Sequence, residues 1–278
     1  MMSLLERLHR PEPLIMGILN VTPDSFSDGG RYTAVEAAVK RGLEMAGAGA
    51  EIIDVGGEST RPGSEPVPAA EQVRRVVPVI EALSARLPQG VFISIDTTRA
   101  AVAEAALDAG AGLVNDVSAG RDDPKMFALV AQRRVPIVLM HMQGTPKTMQ
   151  DNPCYADVVA EVRRFLWQRA EAAQAAGIDG RAIVLDPGIG FGKRRRDNLQ
   201  LMAHLETFTV SGFPVLLGAS RKRFMGSILE VSDPTELVAA TVATTTIGTM
   251  AGVRIFRVHD VAENFQAMQV AWAIRQAR

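Results

Sequence analysis

Short apolar runs alternate with longer stretches of helical spacing along the whole chain. The apolar runs are continuous rather than alternating in polarity, which is typical of parallel strands covered on both faces. The predicted strands are Leu14–Leu19, Ile52–Val55, Val91–Ile95, Leu113–Asn115, Pro136–Met140, Ile183–Leu185, Pro214–Leu217 and Val253–Arg257. Between them, apolar residues recur every three or four positions, as at Val73, Val76, Ile80 and Leu83, which predicts helices with one face against the core.

The alternation of strands and helices predicts one closed barrel. About eight βα units of roughly 35 residues each fill the chain, and no Pro/Gly/Ser-rich linker divides it. We therefore expect an α/β fold with a single domain over residues 1–278, a (β/α)8 TIM barrel. The alternative is a doubly wound open sheet. It usually needs fewer strands and does not explain why polar residues recur at nearly every strand end.

The composition is that of a globular protein without a bias toward a charged partner. Hydrophobic residues make up 47% and charged residues 22%, and the formal net charge is -1, so no overall field favours nucleic acid or an anionic membrane. Cys154 is the only cysteine, which excludes an internal disulfide and fits a reducing compartment. The first residues lack the apolar core of a secretory signal, and no apolar run approaches the roughly 20 residues of a membrane span. We expect a cytoplasmic protein.

Polar residues follow nearly every predicted strand. In a barrel these strand ends meet at one rim, where the chemistry of such folds is found. Unpaired carboxylates and cations are costly to bury together unless they meet each other or a ligand. The polar residues at the strand ends are Asn20, Asp96, Asn115, Asp186, Lys222, Arg257 and His259. We predict that they converge on one ligand site.

One part of this set suits a flat heterocycle with an amide-like edge. Asp96 and Asp186 can accept hydrogen bonds from ring N–H and amino groups. Lys222 donates to a ring oxygen or nitrogen, and Asn115 can do both.

The other part suits an anion. Arg257 and His259 follow the last strand, where barrels commonly bind phosphate, at the start of the final helix. Asn20 offers a neutral oxygen that could coordinate Mg²⁺, whose other ligands are typically water and substrate phosphate.

Three loops that follow predicted strands have compositions that suggest a role in ligand binding. Residues 21–30 carry Phe26 among turn-forming residues, and residues 58–63 place Arg61 beside Pro62, so we interpret both as lids. The segment 186–193 is glycine-rich, but no Ser or Thr follows its Gly-Lys pair, so it is not a P-loop. Its glycines let the backbone approach a flat ligand. The basic run at 193–196 is predicted to face solvent.

Six segments between about residue 14 and about residue 262 form a pattern that extends over almost the whole chain. They are Asn20–Gly30, Gly56–Gly63, Met140–Gly144, Asp186–Gly188, Ser220–Lys222 and Arg257–Asp260. In sequence and in order, they resemble the signatures of the dihydropteroate synthase family. The resemblance implies that 6-hydroxymethyl-7,8-dihydropterin pyrophosphate and 4-aminobenzoate give 7,8-dihydropteroate and pyrophosphate in folate synthesis. It also implies a Mg²⁺-assisted homodimeric enzyme that sulfonamides target.

The resemblance further implies a role for each site residue. The pterin would meet Asp96, Asn115, Met140, Asp186, Gly218 and Lys222. The pyrophosphate would meet Asn20, Thr60, Arg257 and His259, with Mg²⁺ on Asn20. The aminobenzoate would lie near Phe26, Thr60, Arg61, Pro62, Phe191, Ser220 and Lys222. The residues expected to act in catalysis are Asp96, Lys222, Arg257 and His259.

The chemistry of these residues favours an SN1-like displacement. Arg257, His259 and Mg²⁺ can stabilise the charge on departing pyrophosphate, and Asp96 can stabilise the cationic pterin methylene. Three alternatives stay open at this point. They are a pterin-dependent methyltransferase domain, a barrel aldolase with Lys222 as a Schiff base, and a non-catalytic pterin-binding paralogue.

Overall fold

The predicted alternation of strands and helices is present in the structure. The computed structural model describes residues 2–21, 31–59 and 63–278, and at residues 31–33 only the backbone. The strands are β1 (Leu14–Asn20), β2 (Ala50–Gly56), β3 (Phe92–Asp96), β4 (Leu113–Asp116), β5 (Ile137–Met140), β6 (Ile183–Asp186), β7 (Leu216–Leu217) and β8 (Ile255–Val258). Every predicted strand is found, with ends within two residues of the predicted ends.

The strands form a barrel rather than an open sheet. All pair in parallel in the order β6-β5-β4-β3-β2-β1-β8-β7. The two ends of this order meet at a bridge between Leu185 and Val215, beside a 2.9 Å hydrogen bond from Leu185 N to Pro214 O. This seam nearly closes the ring, so the (β/α)8 TIM barrel is confirmed and the doubly wound alternative is wrong.

The helices pack around the barrel and leave its C-terminal rim to the loops. They are α1 (Leu4–Leu8), α2 (Arg31–Gly47), α3 (Ala69–Arg86), α4 (Ala100–Asp108), α5 (Met126–Arg133), α6 (Val158–Ala175), α7 (Arg195–Ala203), α8 (Glu206–Thr209), α9 (Arg223–Leu229), α10 (Val238–Ala251) and α11 (Val261–Gln276). In α3 the predicted stripe holds, since Val76, Ile80 and Leu83 are fully buried. No helix within the described ranges is long and apolar enough to cross a membrane.

The N-terminal end of the barrel is plugged by apolar side chains and by α1. Leu4 and Leu8 of this helix join a buried cluster inside the barrel. The strands supply the rest of that cluster: Leu14, Met16, Ile52, Leu113, Val138, Val184, Leu216 and Ile255. An ion pair between Arg7 and Glu51 fastens α1 to the start of β2. A ligand therefore has access to the barrel interior at the opposite, C-terminal rim.

Candidate active site

Strand register brings three of the predicted polar residues, Asn20, Asp96 and Asn115, to the same level of the rim. Asn20 is paired with Gly56, Gly56 with Asp96, and Asp96 with Asn115. Asp186 is the last residue of β6 and is paired with Met140. Parallel pairing without a shift at these positions explains why residues 19 to 46 positions apart are neighbours.

A buried ionic network occupies the mouth of the barrel. Arg257 donates from Nε to Asp54 Oδ2 at 2.6 Å and from Nη2 to Asp96 Oδ2 at 2.7 Å. Asn115 Nδ2 donates to the same Asp54 oxygen at 3.0 Å. Asp54 is buried, and the side chain of Asp96 is only 6% exposed. One guanidinium thus serves two carboxylates and holds both in place.

The network leaves acceptors without donors. Among the described residues, Asp96 Oδ1 and Asp54 Oδ1 are buried and have no hydrogen-bond partner. Burial raises the pKa of Asp96 to about 7, Arg257 opposes this shift, and Asp54 adds to it. A buried acceptor without a donor is costly, and a ligand that donates a hydrogen bond to it recovers that cost.

A second carboxylate and a lysine lie on the other side of the mouth. Asp186 Oδ1 accepts a 2.7 Å hydrogen bond from Gly188 N, and burial raises the pKa of Asp186 to about 6. Burial, followed by Arg257, lowers the pKa of Lys222 to about 8. Gly218 is next to this pair, because a Cβ built on it would lie 3.8 Å from Asp186 Oδ2.

An apolar wall borders these polar groups. Val117, Met140, Met142, Met149 and Phe191 form a separate buried cluster. The Nζ atom of Lys222 lies 4.0 Å from the centroid of the Phe191 ring, within cation–π range. A polar edge beside an apolar wall is the arrangement that a flat heterocycle with ring N–H groups requires.

Ser220 and His259 form a hydrogen-bonded pair beside Arg257. His259 N donates to Ser220 Oγ at 3.2 Å, and Ser220 Oγ lies 3.0 Å from His259 Nδ1. Burial, followed by Arg257 and Arg221, lowers the pKa of His259 to about 3, so its ring is neutral at pH 7. The hydroxyl hydrogen of Ser220 can then go to Nδ1, which leaves Nε2–H to donate to a ligand.

Asn20 is a suitable protein ligand for Mg²⁺, an ion that commonly takes only one or two of its ligands from protein side chains. Its Oδ1 lies 3.7 Å from the position that a Cβ on Gly56 would take, and Asp96 Oδ2 lies 3.8 Å from the same position. No group of three or more His, Cys, Asp or Glu residues in the described part of the chain could hold a metal ion. Any Mg²⁺ here would therefore take most of its ligands from water and phosphate, as this ion prefers.

Comparison with known proteins shows which family this chain belongs to. A family model described as "pterin binding enzyme" matches residues 16–259. A dihydropteroate synthase from Synechocystis sp. is 46% identical over 260 residues, which cover 94% of this chain and 89% of that protein. The chain belongs to the dihydropteroate synthase family. The predicted family is thereby confirmed.

Solved dihydropteroate synthases share the fold over nearly the whole chain. The enzyme from Xanthomonas albilineans with 4-aminobenzoic acid superposes with a TM-score of 0.89 at 50% identity and covers 98% of this chain and 95% of its own. The Yersinia pestis enzyme in complex with a sulfonamide drug also gives a TM-score of 0.89, at 45% identity, with 95% of each chain covered.

Most residues predicted for a dihydropteroate synthase site are brought together here, and their individual roles stay predictions. The predicted residues at the mouth are Asn20, Asp96, Asn115, Met140, Asp186, Phe191, Gly218, Ser220, Lys222, Arg257 and His259. Four others lie outside the described residues: Phe26, Thr60, Arg61 and Pro62.

Sequence reasoning gave no role to Asp54 and was wrong about Lys193. Asp54 is the central acceptor of the network, and its signal was a carboxylate inside an apolar strand. Lys193 was predicted to face solvent with the rest of the basic run, yet it is only 3% exposed. The turn that precedes it carries Gly188, Gly190 and Gly192 at positive φ, and such a turn directs the lysine inward.

Proposed function

We propose that this chain joins 6-hydroxymethyl-7,8-dihydropterin pyrophosphate to 4-aminobenzoate, releasing pyrophosphate and giving 7,8-dihydropteroate for folate biosynthesis. As a dihydropteroate synthase it is a transferase. The observation that carries the proposal is the buried network in which Arg257 bridges Asp54 and Asp96 and leaves Asp96 Oδ1 without a donor.

The pterin ring is proposed to fill the mouth between the polar edge and the apolar wall. Its amino and ring N–H groups would donate to Asp96, Asp186 and the amide oxygen of Asn115. Lys222 and the Gly218 backbone lie at the far edge, where the ring oxygen and nitrogens need donors. Met140 would contact the ring face, as expected for a polarisable side chain at a flat ligand.

Pyrophosphate is proposed to bind at Arg257, His259 and Asn20, with Thr60 from outside the described residues. The guanidinium supplies charge, and the neutral His259 ring supplies a hydrogen bond through Nε2–H. When bound at Asn20, Mg²⁺ would supply positive charge to the phosphate oxygens. Negative charge that develops on the departing group is thus met by donors already fixed in position.

The displacement is proposed to be SN1-like. The bond between the pterin methylene and the pyrophosphate oxygen breaks first, and its electron pair leaves with pyrophosphate. The methylene carbon then carries cationic character, which the Asp96 carboxylate stabilises at short range. The arylamine nitrogen, neutral at pH 7, forms the new C–N bond and then loses one proton.

The aminobenzoate is proposed to enter beside Phe191, Ser220 and Lys222. Lys222 above the Phe191 ring would face both the pterin and the incoming amine. The residues outside the described ranges that would complete this pocket are Phe26, Thr60, Arg61 and Pro62. Because sulfonamides resemble 4-aminobenzoate in shape and charge, we expect them to compete for the same place. The Yersinia pestis enzyme has been solved in complex with a sulfonamide drug, which supports this expectation.

A homodimer in the cytoplasm is the proposed state of the enzyme. Ile247 on α10 and Val270 and Ile274 on α11 are 52%, 62% and 56% exposed. Large apolar side chains on two adjacent helices are typical of a surface that a second copy covers.

The test is a coupled assay of pyrophosphate release. Release is expected only when the pterin ester and 4-aminobenzoate are both present, in step with formation of dihydropteroate. Pterin binding without turnover would instead favour the non-catalytic paralogue, and methyl transfer from a donor would favour the methyltransferase. Borohydride trapping of Lys222 with a carbonyl substrate would favour the aldolase.

A further inference from the structure

A buried cation lies behind the proposed pterin site, outside the network already described. Lys193 ends the turn that follows β6, and its side chain runs back under that turn. Its Nζ atom lies 2.9 Å from His141 Nδ1 and donates to His141 O at 3.2 Å and to Phe191 O at 3.0 Å. Its neighbour Arg194 is 47% exposed and pairs with Asp197, so the two basic residues differ in role.

The contacts of Lys193 select its charged form. An ammonium group has three N–H donors and no acceptor, and three acceptors surround Nζ. Burial lowers the pKa of Lys193 to about 7, and Asp186 opposes that shift. Burial, followed by Lys193 and Arg121, lowers the pKa of His141 to about 2, so its ring stays neutral and Nδ1 can accept.

His141 connects Lys193 to Asp186 through the backbone. The N–H of His141 donates to Asp186 O at 3.0 Å, while its carbonyl accepts from Lys193. The turn packs so closely on this residue that a Cβ at Gly188 would overlap His141 O. Gly188 N in turn donates to Asp186 Oδ1 at 2.7 Å. One lysine therefore ties together the turn, the end of β5 and the carboxylate at the end of β6.

We propose that Lys193 is a positioning residue of the pterin site. Its ammonium group holds the turn from Gly188 to Gly192 against the end of β5, and its charge stabilises the Asp186 carboxylate for pterin binding. Phe191 also depends on this turn, because its carbonyl is one of the three acceptors. The inference rests on the proposed function, since it assumes that Asp186 binds the pterin.

Several charges act on Asp186, and the test must separate them. The groups that favour its ionised form are, in order, the Gly188 N–H, Lys193, Lys222 and Arg257, and they oppose the rise in its pKa that burial causes. Asp96 in the same mouth titrates nearby, with a pKa of about 7. We therefore choose Asp96→Asn as the background, because an asparagine keeps an oxygen acceptor but does not titrate.

The experiment measures binding of 6-hydroxymethylpterin by calorimetry from pH 5 to pH 7. In the D96N background, binding should weaken toward acid pH as Asp186 is protonated. Adding Lys193→Met or Lys193→Gln should move the midpoint upward by about one pH unit, the effect of losing a nearby opposite charge. Arg194→Met, which removes an equal charge from the exposed neighbour, should leave the midpoint in place.

Two outcomes would overturn the role of Lys193. One is an unchanged midpoint in both Lys193 variants, and the other is a loss of affinity by the same factor at every pH, which is the signature of a purely structural role. Lys193→Gln keeps N–H donors for the carbonyls, so it provides the test if Lys193→Met does not fold. The double variant D96N/D186N tests the proposed pterin site separately from the role of Lys193. If it binds the pterin as well as D96N does, the proposed pterin site fails whatever Lys193 does.

Discussion

Replacing Arg257 by methionine tests the electrostatics of the barrel mouth. The change removes the only guanidinium that contacts both Asp54 Oδ2 and Asp96 Oδ2 within the described structure. Breaking a buried ion pair by deleting one partner costs about 3–5 kcal/mol, because the stranded charge stays buried. We expect R257M to lose a free energy of unfolding in that range at pH 7, since Asp54 and Asp96 both lose the cation that their Oδ2 atoms share.

The loss should depend on pH with a definite sign. Removing Arg257 raises the folded-state pKa of Asp96 above its present value of about 7, because Arg257 opposes the rise that burial causes. The pKa of Asp96 then lies further above that of the unfolded chain, so the folded variant binds more protons than the folded wild type. The difference in free energy of unfolding between R257M and the wild type therefore becomes smaller as pH falls. Because Asp96 in the wild type is half protonated at pH 7, this gap must be followed from a higher pH. From pH 9 to pH 5 it should narrow by about 1.4 kcal/mol, the free energy of one pKa unit.

Urea unfolding followed by circular dichroism at pH 5, pH 7 and pH 9 measures this gap. Arg86→Met is the matched control, because Arg86 pairs with Glu36 at 3.0 Å but both side chains are 44% exposed. It should cost less than about 1 kcal/mol, with little change between pH 9 and pH 5. The reasoning is refuted if R257M costs no more than R86M at pH 7, or if the R257M deficit is the same at pH 9 and pH 5.

Three further predictions address turnover, the turn after β6 and assembly. Asp96→Asn should lower kcat by about 100-fold or more, with little change in the KM for 4-aminobenzoate, in steady-state pyrophosphate release; a fully active variant removes Asp96 from catalysis. Gly188→Ala should lower the free energy of unfolding by about 1–3 kcal/mol in chemical unfolding, because the φ of Gly188 is +67° and His141 O blocks the position of the new Cβ. The control Gly47→Ala, which has open space around the new Cβ, should not destabilise the protein. Ile247→Asp should convert the dimer to monomers in sedimentation equilibrium, and a monomeric wild type would contradict the proposed assembly.

The strands were predictable because each is covered on both faces and therefore reads as a continuous apolar run. The ends of the strands were less predictable. The run that begins at Pro214 becomes regular strand only at Leu216, and residues 214–215 instead form the bridge and hydrogen bond that close the barrel against Leu185. Closure itself follows from the number of units, and with it the convergence of the strand ends.

The pairing inside the site could not be predicted in the same way. Arg257 is paired with Met16, which is paired with Ile52, so its side chain meets Asp54 only by reaching two residues further along β2. A sequence without coordinates does not reveal this. The inward path of Lys193 depends on a turn with three glycines at positive φ. The neutral state of His259 depends on burial and on the cations around it. His259 therefore binds an anion through a hydrogen bond and not, as the sequence suggested, through positive charge.

The position of a bound pterin tests the central claim most directly. In crystals soaked with 6-hydroxymethylpterin, we predict density in the barrel mouth, with ring N–H groups on Asp96 and Asp186 and the ring against Met140. Density elsewhere would contradict this, above all in the cleft of about 670 Å³ between α6 and α7 that Arg163 and His204 line. In that case the strand-end residues would form a structural network and not a pterin site.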